Sequence, residues 1–159
     1  MISEENKIVL KTMLQNEQVL KMKQYRQHGN VSTYDQCINV TVVSLKIAEK
    51  LKLTEEQIKN IIMGAMLHDF YLYDWHDGRL RTEGIHGFSH PKVALSNAEK
   101  CFFLNKKQKN IIRSHMFPLT LFHVPLCKEA WIVSTVDTLC ACAEYFGKAV
   151  STRPYICGA

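Results

Sequence analysis

The sequence predicts an all-α fold, a single-domain bundle of about six helices. Three observations carry this. Apolar residues recur at helical spacing in segment after segment. Helix-capping signatures open several of those segments. No segment alternates apolar and polar residues as a half-buried strand does.

The elements follow in chain order. Ile8, Leu10, Met13, Leu14 and Leu20 form a loose amphipathic helix, broken by His28-Gly29-Asn30. Residues 1–29 are therefore an N-terminal helical extension. Thr33-Tyr34-Asp35-Gln36 has the form of a capping box and starts a helix through Val40, Val43, Leu45, Ile47, Ala48 and Leu51. Thr54-Glu55-Glu56-Gln57 is a second box, opening the helix that ends at His68-Asp69. Residues 74–89 hold Asp74, Asp77, Gly78, Gly84, His86 and Gly87 and read as an irregular loop. Pro91 suits the first position of the next helix, with His90 as its N-cap, and the helix continues through Val93, Ala94, Leu95, Ala98 and Phe102. Asn105 caps a short helix containing Ile111 and Ile112 that ends near His115. A loop from Pro118 to Pro125 leads to a last long helix over about 128–146. The main domain spans 30–146, and 147–159 is a tail.

Bulk composition narrows the function classes. A chain of 159 residues, 47% hydrophobic and 22% charged, suits one domain with a real core. No apolar run reaches the roughly 18 residues of a membrane span, and the polar, acidic start does not look like a signal peptide. The expected location is the cytoplasm, with no membrane partner. Cys37, Cys101, Cys127, Cys140, Cys142 and Cys157 contain no C-x-x-C pair and read as free, largely buried thiols. The net charge of +5 suits an anionic small molecule but is too mild to indicate nucleic acid. The one basic cluster, Lys106-Lys107-Gln108-Lys109, reads as a solvated helix face. Oligomeric state is not encoded legibly.

His68-Asp69 is the chemically informative pair. It follows the apolar run Ile61 to Leu67. An ionisable pair on a buried helix must be paired or given a metal, because an unpaired buried charge costs several kcal/mol. His90, His115 and Asp137 follow at long intervals, and Asp137 interrupts the apolar run from Trp131 to Val136. Imidazole nitrogen with carboxylate oxygen suits divalent Fe, Mn, Zn, Co or Ni more than Ca. Each residue taken singly has a plainer role: a hydrogen-bonded core histidine, a helix cap, a solvated carboxylate. Asp137 is hardest to dismiss, since it lies mid-helix among Ile, Val and Leu.

The ordered set Leu67-His68-Asp69, His90-Pro91-Lys92-Val93-Ala94, Arg113-Ser114-His115 and Ser134-Thr135-Val136-Asp137 resembles the HD superfamily of metal-dependent phosphohydrolases. The resemblance covers about residues 30–146. The two central histidines resemble the branch with dinuclear sites. It implies an HD-domain-like helical bundle that binds one or two divalent transition-metal ions. The implied substrate is a nucleotide or other small phosphoester, hydrolysed by metal-activated water. One ion would take His68, Asp69 and Asp137; the other would take Asp69 as a bridge with His90 and His115. Two departures stand out. Gln36 occupies the place of the family's leading histidine, and an amide carbonyl is a poorer transition-metal ligand than imidazole. Gln36 also fits its capping box. His28 falls before the helix and is a poor substitute. The lysine of HD-x-x-K is missing from His68-Asp69-Phe70-Tyr71-Leu72. That leaves His86, Lys92 and Arg113 as candidate phosphate contacts beside Asp69, and Asp74, Asp77 or His86 as proton donors. Tyr73, Trp75 and Phe88 could stack on a base from the pocket rim. As an alternative, the impaired leading position suits a binding or sensor module.

Overall fold

In a computed structural model of the chain, residues 2–76 and 86–146 are described, apart from the side chains of His28 and His86. The α-helices among them are α1 (Glu4–Gln15), α2 (Glu17–Leu20), α3 (Thr33–Lys50), α4 (Glu55–Leu67), α5 (His86–Cys101), α6 (Lys106–Ser114) and α7 (Lys128–Tyr145). The all-α class stands, with one addition. Residues 26–32 form a small antiparallel hairpin, β1 (Arg26–His28) and β2 (Val31–Ser32). Strands this short show no alternation, so the sequence pattern could not expose them. No described helix is long and apolar enough to cross a membrane.

α3 lies between α4 and α7, while α6 packs on both α4 and α7. α1 lies on α4, and α5 on α6. Leu45, Ile61, Ile62, Met66, Ile111, Ile112, Val133 and Val136 fill the centre. Leu10, Met13, Val19 and Met22 from the N-terminal segment join the same core. Burial of each large aliphatic chain is worth about 1.5–3 kcal/mol.

Several local expectations need correction. The first helix stops at Gln15, because Asn16 leaves helical geometry and its side chain caps α2 through the Gln18 and Val19 amides. α3 is capped by Ser32, whose Oγ accepts from the Asp35 amide at 3.1 Å, and not by a Thr33–Gln36 box. Gln36 is thereby released from the helix end and buried. The box at Thr54 and Gln57 forms as expected, and Asn105 caps α6 together with Gln108. α5 begins at His86, so Pro91 lies inside the helix and His90 is not a cap. Pro91 is the sixth residue of α5, so the helical bond to the Gly87 carbonyl loses its donor. Among the described residues the thiols are free, but only Cys37 and Cys140 are buried; Cys101 and Cys142 are exposed and Cys127 is intermediate. Asp77, Gly78, Gly84, Cys157 and the tail lie outside the described residues.

A close approach of α4 and α6 sets the geometry of the site. Gly64 faces Ile111, and a Cβ at Gly64 would sit 2.6 Å from Ile111 Cγ2. Gly64 is one helical turn before His68, and Ile111 one turn before His115. The small residue therefore lets the two histidine-bearing helix ends converge.

A buried polar knot ties α4, α6 and α7 at their other ends. Asn60 Oδ1 accepts from Asn105 Nδ2 at 2.8 Å and Gln108 Nε2 at 3.2 Å. Asn60 Nδ2 donates to Glu129 Oε1 at 3.4 Å, and Lys107 pairs with the same carboxylate. Asn60→Ala leaves two buried amides and a carboxylate short of partners. It is expected to cost about 2 kcal/mol, read as a lower urea midpoint at unchanged slope.

Candidate metal centre

Five of the residues singled out by sequence meet in the bundle interior. His68 is the C-cap of α4 and Asp69 follows it; His115 is the C-cap of α6. His90 comes from α5 and Asp137 from the middle of α7. All five are buried. Asp69 is central. Its Oδ1 lies 3.2 Å from His90 Nε2 and 3.4 Å from His115 Nε2, and the two imidazole nitrogens are 2.8 Å apart. Its Oδ2 lies 3.5 Å from His68 Nε2, which is 3.3 Å from Asp137 Oδ1.

Backbone carbonyls orient two of the rings. His68 Nδ1 is 2.7 Å from the Ala65 oxygen, and His115 Nδ1 is 2.8 Å from the Ile112 oxygen. A carbonyl only accepts, so each Nδ1 carries a proton. The neutral ring then turns a lone pair on Nε2 toward Asp69. Such outer hydrogen bonds orient histidine ligands in metal sites. His68 Nε2 and Asp69 Oδ1 have no hydrogen-bond partner among the described residues. Ligand atoms around one ion at about 2.1 Å lie about 3.0–3.4 Å apart, close to the spacings of this cluster. Asp69, His90 and His115 can together hold a metal ion.

The electrostatics agree with a cation-seeking centre. Burial works against ionised Asp69, but His68, His115 and His90 outweigh it and hold its carboxyl well below the ordinary range. Asp137 is lowered in the same way, with His68 outweighing burial. Burial disfavours the His68 imidazolium, yet its neighbours raise it well above the ordinary value. Of those neighbours, Cys37 is itself pushed up by burial and stays a neutral thiol, so Asp69 and Asp137 supply the anionic field. Burial keeps His115 low, hence neutral. Two ionised buried carboxylates demand positive charge, either a proton on His68 or a cation.

Residues 33–142 match the family described as HD domain. The chain belongs to the HD-domain family. Neither a curated protein nor a solved structure matches it. The family points to the metal-dependent phosphohydrolase superfamily, and the buried Asp/His cluster is compatible with its metal site.

Two glutamines touch the carboxylates, Gln36 within the HD-domain match and Gln27 just before it. Gln36 Nε2 donates to Asp137 Oδ1 at 3.2 Å, leaving Gln36 Oε1 without a hydrogen-bond partner among the described residues. The leading position of the HD pattern thus presents an amide donor to the site. Gln27 went unrecognised in the sequence. It descends from β1, and its Nε2 donates to Asp69 Oδ2 at 2.8 Å. Its Oε1 accepts from the Tyr71 hydroxyl, which contacts Thr33 Oγ1 at 3.1 Å. The only signal for Gln27 was its place just before the break at Gly29.

Of the candidate phosphate contacts, Lys92 and Arg113 are not among the buried residues of this cluster. Lys92 is exposed on α5. Arg113 is half-buried on α6, near enough for its charge to add to burial in lowering His123. His86 starts α5, but its side chain lies outside the described residues. Asp74 is exposed and engaged with His76, at 2.9 Å to its amide and 3.1 Å to Nδ1. Of the candidate rim aromatics, Phe88 is exposed, Tyr73 leans on Tyr71 and Trp75 lies over His76.

Proposed function

We propose that the chain is a metal-dependent phosphohydrolase acting on a nucleotide or other small phosphoester. The observation that carries this is the convergence of Asp69 Oδ1, His90 Nε2 and His115 Nε2 in the bundle interior, with a backbone bond fixing the His115 tautomer. Asp69, His90 and His115 hold the ion, with His68, Asp137 and Gln36 completing the surroundings. A divalent Fe, Mn, Zn, Co or Ni ion there supplies Lewis acidity, activating water and neutralising charge on the phosphoryl group.

The chain's residues do the rest. Asp69 fixes the position of the pocket's negative charge. The Ala65 and Ile112 carbonyls stop the His68 and His115 rings from turning. His68 can hold a proton at Nε2 between Asp69 and Asp137 when the pocket lacks a cation. Lys92 and Arg113, together with His86, are the basic groups available to meet phosphate from the rim, where a charge-assisted bond is strongest on a planar Arg. Neither a membrane nor a nucleic acid is required.

The test is a panel of nucleotides, phosphomonoesters and phosphodiesters offered to protein with measured metal content. Metal-dependent release of phosphate or of a nucleoside supports the reading. No turnover across the panel by fully loaded protein overturns it. A second reading, a nucleotide- or metal-sensing module, is favoured by the Gln36 amide donated to Asp137. It predicts saturable nucleotide binding without turnover.

A further inference from the structure

We infer that this centre holds one ion rather than two, with the amides of Gln27 and Gln36 occupying the half that a second ion would need. The inference rests on the metal-binding part of the proposal above and not on the reaction.

The two oxygens of Asp69 face different surroundings. Oδ1 looks onto two imidazole nitrogens and has no hydrogen-bond partner among the described residues. Oδ2 already accepts from Gln27 Nε2 at 2.8 Å. Across His68, Asp137 Oδ1 accepts from Gln36 Nε2 at 3.2 Å. Each carboxylate that would serve a second ion therefore has an oxygen held by an amide N–H, the positive end of a dipole. A cation placed between them would face that positive end on two sides.

Turning the Gln27 amide over would disturb more than one hydrogen bond. Its Oε1 accepts the Tyr71 hydroxyl, with Thr33 Oγ1 at 3.5 Å. A turned amide would make the Tyr71 hydroxyl turn to accept from its NH2 and would set its oxygen against the Asp69 carboxylate. Gln36 has more freedom, because its Oε1 has no hydrogen-bond partner among the described residues. Turned over, it would place a carbonyl oxygen beside an ionised carboxylate, which is unfavourable. Gln27 thus positions Asp69 as a terminal ligand, and Gln36 shields Asp137.

Counting ions tests this directly. Mn(II) would be titrated calorimetrically into protein stripped with chelator, with elemental analysis and Mn(II) electron paramagnetic resonance on the loaded sample. The expected result is one ion per chain and an uncoupled spectrum. His115→Ala should weaken binding by more than about 100-fold, beyond the usual cost of losing an outer-shell partner. Asp137→Asn should keep the ion. The double variant Gln27→Ala/Gln36→His should take two ions and give a spin-coupled spectrum. Two ions in the unmodified chain overturn the inference, as does no ion. So does survival of binding in His115→Ala with its loss in Asp137→Asn. If the double variant does not fold, the count and spectrum of the unmodified chain decide alone. Absent turnover at one ion per chain sinks the hydrolase reading and leaves this one standing; two ions with turnover does the reverse.

Discussion

Asp69→Asn is expected to lose metal and phosphoester turnover together, with the rate falling by about a thousandfold or more. A drop of that size corresponds to several kcal/mol of transition-state stabilisation, the scale a bound ion supplies. The reason is geometric as well as electrostatic. Asp69 is where the surroundings of His68, His90 and His115 meet, with both its oxygens within 3.5 Å of their nitrogens. An amide halves the oxygen count and offers N–H groups to one side of the cluster. Rates normalised to bound metal check the result, since a variant that keeps both metal and rate removes Asp69 from its proposed role. His115→Ala and Asp69→Asn should not add, because each removes the same ion.

Gly64→Val is expected to destabilise the fold by about 3 kcal/mol, the upper end of what overpacking a core costs. Helix propensity argues weakly the other way, because Gly is about 1 kcal/mol worse than Ala in a helix interior and Val is better than Gly. Packing wins. Even a bare Cβ would stand 2.6, 2.7 and 2.8 Å from three side-chain atoms of Ile111, one of them the Ile111 Cβ, which cannot rotate away. α4 and α6 must then part, and His68 and His115 part with them. Metal affinity should fall along with the urea midpoint, although the nearest atoms to a side chain at Gly64 belong to Ile111 and not to a proposed ligand. Combining Gly64→Val with Ile111→Ala should recover most of both losses, and failure to recover either would remove the Gly64–Ile111 contact as the cause.

The sequence exposed the part of the site whose chemistry is expensive to bury. A carboxylate at position 137 inside an apolar helix, and a His-Asp pair at the end of another, have few affordable explanations, so they stood out without any structure. The ends of α4 and α6 were legible for a related reason: Thr54 with Gln57, and Asn105, are caps whose backbone bonds are local. What stayed hidden depended on competition between neighbours. Gln36 looked like the closing residue of a capping box until Ser32 took the helix end one residue earlier. Pro91 looked like a helix start, but a proline near the beginning of a helix forfeits only one bond, so five residues could precede it. Gln27 sits in a hairpin too short for periodicity to register, and what makes it matter is an oxygen 42 positions away.

The helix ends at His68 and His115 impose an order on binding. α4 and α6 both terminate against the same pocket, and each brings about half a negative charge from its aligned peptide dipoles. With Asp69 and Asp137 held ionised, a phosphate arriving first meets a field of its own sign in a buried, weakly screened space. A divalent cation arriving first cancels most of that negative charge. On the proposed function an ion would therefore bind before a phosphate substrate, an order favoured by the direction in which the two helices run.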